Sequence, residues 1–84
     1  MDADAIRAHI ERKTAELRQR HPGITHCDSA LSQRREADGL RYSLYLELRW
    51  PRNHIVLSGP AHLEAGVAID AAFEAAGSRI EKST

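Results

Sequence analysis

The sequence predicts an α+β fold of order α-β-β-β-α: a three-stranded antiparallel sheet with two helices packed on one face. Three observations carry this. The stretch "LRYSLYLELRW" (Leu40–Trp50) alternates apolar and polar residues along its whole length. The segments before His21 and after Gly59 repeat their apolar residues at helical spacing instead. Turn-forming clusters "HPG", "EADG", "PRN" and "SGP" punctuate the chain between them.

The first helix is read over residues 2–20. Asp2 or Asp4 caps it, because an aspartate oxygen accepts the free N–H groups of a first turn. Ile6, Ile10, Lys13 or Thr14, and Leu17 share one side, and Pro22-Gly23 stops the helix. Ile24 to Arg35 is read as the first strand, since Cys27, Ser29 and Leu31 alternate with neighbours of the other face. Glu36 to Gly39 makes a hairpin turn with Gly39 free to take positive φ. In Leu40–Trp50, Leu40, Tyr42, Leu44, Leu46, Leu48 and Trp50 point to one face, so the sheet is buried on one side and wet on the other. Pro51-Arg52-Asn53 turns the chain into a short strand, His54 to Ser58. Gly59-Pro60 breaks it, and the last helix is expected to start between Ala61 and Glu64. There Ile69, Phe73, Ala76 or Gly77, and Ile80 line one side with Ala72 beside them. The alanines and glycines among these anchors let the helix backbone lie close to the sheet. Gly66 and Gly77 each cost about 1 kcal/mol of helix propensity, so this helix depends on docking.

Composition bounds the function. The chain has 84 residues, read as one domain over 1–84, with 42% hydrophobic and 29% charged residues, too apolar for disorder. No apolar run approaches ~18 residues, so no membrane span is expected. The acidic N-terminus lacks the apolar segment of a signal peptide, and Cys27 has no internal disulfide partner, which together suggest a cytoplasmic protein. Charge is balanced at 12 Lys+Arg against 12 Asp+Glu, so no overall electrostatic footprint for nucleic acid is present.

No catalytic, metal or cofactor constellation is expected. His9, His21, His26, His54 and His62 include no His-x-x-x-His pair, and there is no C-x-x-C. His26 and Cys27, adjacent in a strand, point to opposite faces, and Cys27 reads as a small buried residue. Asp70 and Glu74 are placed on the outer side of the last helix. Tyr45, on the wet face, is the one aromatic side chain free to stack on a base.

The runs "DADAIRAHIERKTAELRQRHPGITHC" and "LEAGVAIDAAFEAAGSRIEK", with a hairpin between them, resemble the ribosome hibernation promoting factor family. This family is also called the sigma-54 modulation or ribosome-associated inhibitor family. Its last helix carries a signature like D-x-Y-x-A-I-D-x-A-F-D. Glu64, Val67, Ala68, Ile69, Asp70, Ala72, Phe73, Glu74 and Ile80 fit that signature without a gap, while Gly66 stands where an aromatic residue is usual. The family fold opens with a strand ahead of the first helix; this sequence opens at the helix.

The resemblance implies a non-enzymatic stress-response protein that binds rRNA of the small ribosomal subunit and regulates translation. Such binding rests on cations that meet phosphates. The RNA-binding candidates are then Arg7, Arg12, Lys13, Arg18 and Arg20 on the first helix, with Arg34, Arg35, Arg79 and Lys82. The alternative is an interaction module that keeps the fold and works through protein contacts. The element order is also that of a double-stranded RNA-binding domain, but "SGPAHLEAG", which leads into the last helix, lacks that module's cations. Without the family's leading strand, Thr25–Gln33 becomes a poorly defended edge. A homodimer is expected there, by antiparallel pairing of two such edges into a continuous sheet with all helices on one face.

Overall fold

The computed structural model describes residues 1–82. Helix α1 is Ala3–Arg20, strands β1, β2 and β3 are His26–Glu36, Gly39–Trp50 and Asn53–Ser58, and helix α2 is Ala65–Lys82. The sheet is antiparallel in the order β1-β2-β3. The expected α-β-β-β-α order is therefore the observed one.

Asp2 is the cap of α1. Its carboxylate accepts the Ala5 N–H at 2.8 Å, and Asp4 adds negative charge to the first turn. After Gly23, the Thr25 N–H and hydroxyl both bond the Arg49 carbonyl. This fixes the register of the long hairpin, His26 opposite Arg49 through Glu36 opposite Gly39. Ala37 and Asp38 make the turn, and Gly39 takes φ 131°, a conformation L side chains resist. At ~3.4 Å per residue, β1 and β2 run roughly 37–40 Å, about the 41 Å long axis of the molecule.

The last helix begins at Ala65, later than expected. Tyr42 and His62 exchange both backbone bonds, at 2.7 and 2.9 Å, so the chain stays extended through His62 before it can coil. That bridge also places the start of α2 beside Tyr42. Gly59 donates to the Leu44 carbonyl, and Ala72 lies against Gly59, so α2 runs along β2 toward Trp50.

Leu44, Leu46 and Leu48 of β2 are fully buried, with Ile55 and Leu57 of β3 beside them. Ala68, Ile69, Ala72, Phe73, Ala76 and Ile80 of α2 close over them, and Leu17 of α1 and Ile24 complete the core. Trp50 packs at the margin, with its ring against Gly23. The opposite face is wet: Tyr45 is 37% and Val56 44% exposed. Cys27 is only half-buried, because β1 lies at the margin of the helix layer. Among the described residues no helix is long and apolar enough to cross a membrane.

Two outcomes test this packing. Phe73→Ala is expected to cost about 3–5 kcal/mol, because Phe73 is 7% exposed in the middle of the core. An unchanged melting temperature would show the α2 face to be wrongly assigned. Gly59→Ala is expected to destabilise by about 1–3 kcal/mol, since its new Cβ would stand 2.6 Å from the Ala72 Cβ and 2.8 Å from its Cα. Urea unfolding of the two variants beside the parent measures both.

Candidate nucleic-acid interface

The fold separates the nine candidate cations into groups. Arg12 and Lys13 belong to the seam between the helices. The Arg12 guanidinium can only donate, so it bonds His9 Nδ1 at 2.6 Å and leaves the proton on Nε2. That N–H donates to Asp70 Oδ1 at 2.7 Å, and the Lys13 ammonium lies 3.6 Å from the same oxygen. Asp70 therefore faces α1, not the outer side expected from its helical position. Partial desolvation between the helices pushes the Asp70 carboxyl up, but the His9 hydrogen bond and the Lys13 ammonium outweigh this and hold it below the usual range. Lys13 also reaches Glu16 at 4.0 Å. These two cations are thus committed within the fold and are poor candidates for phosphate.

Arg34 and Arg35 sit at the hairpin tip. Arg34 bonds Glu36 at 3.1 Å, while Arg35 has no carboxylate partner among the described residues. At ~3.3 Å per residue, roughly 25 Å of strand separates them from the His26 end of β1. Arg7, in the N-terminal half of α1, lies roughly 16 Å along the helix from Arg18. So the tip arginines and Arg7 do not join the remaining candidates.

Arg18, Arg20, Arg79 and Lys82 do come together. α1 ends at Arg20, where His21 accepts the Ile24 N–H, and the chain enters β1 opposite Arg49. The β2–β3 turn, Trp50 opposite Asn53, lies at that same end of the sheet. α2 runs toward it as well, so Arg79 and Lys82 in its last turn arrive there. The turn adds Arg52, which the sequence reading passed over. The register could have supplied it, because an antiparallel sheet puts the β2–β3 turn and the entry to β1 at one end.

Pairing distinguishes the two faces of this end. On the wet face, Glu47 takes bonds from His54 at 2.7 Å and Arg49 at 3.2 Å, which hold its carboxyl below the usual range, the His54 bond first. Toward the hairpin tip, Arg41 is paired with Asp38 at 2.6 Å. The cations around Tyr45 are thus largely self-neutralised, which weakens Tyr45 as a stacking platform. Arg18, Arg20, Arg52, Arg79 and Lys82 are exposed, and among the described residues none has a carboxylate partner. The helix C-termini favour four of them through the negative ends of the helix dipoles. Arg52 has no such reason to be there.

No protein-family model, curated protein or solved structure matches the chain.

The helix seam gives a pH-dependent outcome. Asp70 is depressed in the folded protein, so its contribution is present above the unfolded aspartate pKa, about 3.9, and is lost as pH falls through the lower folded value. Asp70 is 52% exposed, so Asp70→Asn is expected to cost less than about 1 kcal/mol at pH 7. The urea midpoints of parent and variant should converge as pH drops below about 4. A constant gap down to pH ~2 would show that the charge of Asp70 does not stabilise the seam.

Proposed function

We propose that this chain is a non-enzymatic, cytoplasmic RNA-binding protein that associates with the small ribosomal subunit and restrains translation under stress. One observation carries the reading. The cations of three separate segments, α1, the β2–β3 turn and α2, converge at one end of the molecule, and among the described residues no ion pair engages them. A net charge of zero does not conflict with this, because many of the balancing acids lie in the first turn of α1, along the wet face and at the hairpin tip, although Glu16 and Glu74 flank Arg20 and Glu81 sits between Arg79 and Lys82. Fixed, solvent-facing guanidinium groups bind phosphates by releasing condensed counterions, so affinity falls steeply with salt. The resemblance of the chain to ribosome hibernation factors supplies the identity of the RNA. The α-β-β-β-α order alone would equally suit a double-stranded RNA binder, but Ala65-Gly66-Val67 at the start of α2 offers no cation for that mode.

Cosedimentation with small ribosomal subunits tests this. The parent protein is expected to pellet with subunits at low salt and to release as salt rises. Combining Arg18→Glu, Arg20→Glu and Arg52→Glu should abolish pelleting, with only a small drop in melting temperature from the two acids placed at the C-terminus of α1. Arg34→Glu with Arg35→Glu, at the far end, should have a small effect. A parent protein that stays in the supernatant even at low salt would overturn the ribosomal assignment. Equal losses from both ends would overturn the assignment of the site.

A further inference from the structure

The two sides of β1 differ. Tyr42 and His62 exchange backbone bonds, so the even-numbered residues of β2 turn their N–H and C=O groups toward β3 and the odd-numbered ones toward β1. By the register, the even-numbered residues of β1 meet them. Cys27, Ser29, Leu31, Gln33 and Arg35 then aim their backbone N–H and C=O groups outward, and no strand pairs with them among the described residues.

The space above this edge is unfinished too. Cys27, Ser29, Leu31, Gln33 and Arg35 also share the helix-side face, yet Cys27 and Leu31 are only half-buried and Ser29 is exposed. Ile6 and Ile10 of α1 are likewise half-buried against the core. The Thr14 hydroxyl and Arg18 lie near the Cys27 thiol, which desolvation raises above its ordinary pKa and these two groups draw back down. So the Thr14–Arg18 stretch of α1 stands over the Cys27 end of β1, and the helix layer leaves the outer side of Cys27, Ser29 and Leu31 incompletely covered. Arg7, Glu11, Thr14 and Arg18 line the outer flank of α1 at helical spacing, and Arg35 lies on the same face of β1.

We infer that the outer edge of β1 accepts one extended strand of a partner protein, with apolar residues at alternate central positions and acidic residues toward its ends. The ladder would satisfy the outward backbone groups, the apolar side chains would fill the space under Ile6 and Ile10, and the acids would meet Arg7, Arg18 and Arg35. Layer geometry disfavours a second copy of this chain. Twofold antiparallel pairing puts the strands ~4.8 Å apart with both helix layers on one face. With α1 above β1, the two α1 axes would then lie about 5 Å apart, whereas packed helices need about 8–10 Å. A lone strand brings no helix into that space.

The probe is the peptide acetyl-Glu-Thr-Val-Thr-Val-Thr-Val-Thr-Glu-amide, added to the full chain, with a lysine-ended version as comparison. Amide hydrogen exchange by NMR reads the edge. The peptide is expected to slow exchange at Cys27, Ser29, Leu31 and Gln33, and to leave Asp28, Ala30 and Ser32, already bonded to β2, unchanged. It should also slow the reaction of Cys27 with a disulfide reagent. The lysine-ended peptide should do both more weakly, and added salt should narrow the difference. Ser29→Pro removes an outward N–H without cutting the β2 ladder and should abolish both effects; proline at Ala30 would break the ladder itself. No protection up to the peptide's solubility limit would overturn the proposal. Protection that appears with rising protein concentration in the absence of peptide would overturn it in favour of the homodimer. Equal protection by the two peptides would remove the acidic specificity claimed for the partner.

Discussion

The close approach of α2 to the sheet is the constraint on which the rest of the structure depends. Ala68, Ala72 and Ala76 lie fully buried against Leu44, Leu46 and Leu48, and Ala72 rests on the backbone of Gly59. Larger residues at these positions would lift the helix and open voids along β2, each losing contacts that a small domain can hardly spare. Small residues set the distance; Ile69, Phe73 and Ile80 then supply the buried area. Because the helix has modest intrinsic propensity, with Gly66 and Gly77 inside it, docking rather than local preference holds it in place.

That placement sets the position of α1. With α2 seated on β2, α1 packs beside it through Leu17 and through the His9–Asp70–Lys13 seam, and so lies above β1. Helix axes packed side by side stand about 8–10 Å apart, whereas β1 and β2 are about 4.8 Å apart, so α1 sits toward the outer margin of β1. The helix layer therefore reaches the margin of a three-stranded sheet and leaves β1 thinly covered. β1 is held by its ladder to β2 and by few side-chain contacts above it. The long hairpin tolerates this because each register pair adds backbone bonds, and Ser32–Ser43 adds a hydroxyl contact at 2.9 Å across the strands.

Most of the fold was legible because its signals are local and periodic. The alternation in Leu40–Trp50, the glycine at position 39, the aspartate at position 2 and the breaker at Gly59-Pro60 each act within a few residues of where they stand. What could not be read depends on the third dimension. The start of α2 was delayed by the His62 bridge to Tyr42, a contact across twenty positions of chain. Asp70 looked solvent-facing from its own helix and acquired its partners from another. The same limit applies to the candidate interface. Nine cations were selected by type, but only the register and the direction of α2 show that Arg18, Arg20, Arg79 and Lys82 converge, that Arg52 joins them, and that Arg12 and Lys13 are already engaged.

The charge arrangement follows from the topology. In an α-β-β-β-α chain with α1 and α2 running in the same direction, both helix C-termini fall at one end of the sheet. Their dipoles place partial negative charge there, which favours cations in the last turns. The N-terminal ends favour acids, and Asp2 and Asp4 occupy one of them. A neutral chain folded this way gathers cations from both helix ends at one end of the sheet without any charged run in its sequence, even with Glu81 among them. Composition reports the sum, which is zero, whereas a phosphate backbone responds to the local field within about a Debye length, ~8–10 Å at physiological salt. A balanced composition therefore excludes a uniformly basic protein, but it leaves room for one whose basic end alone meets nucleic acid.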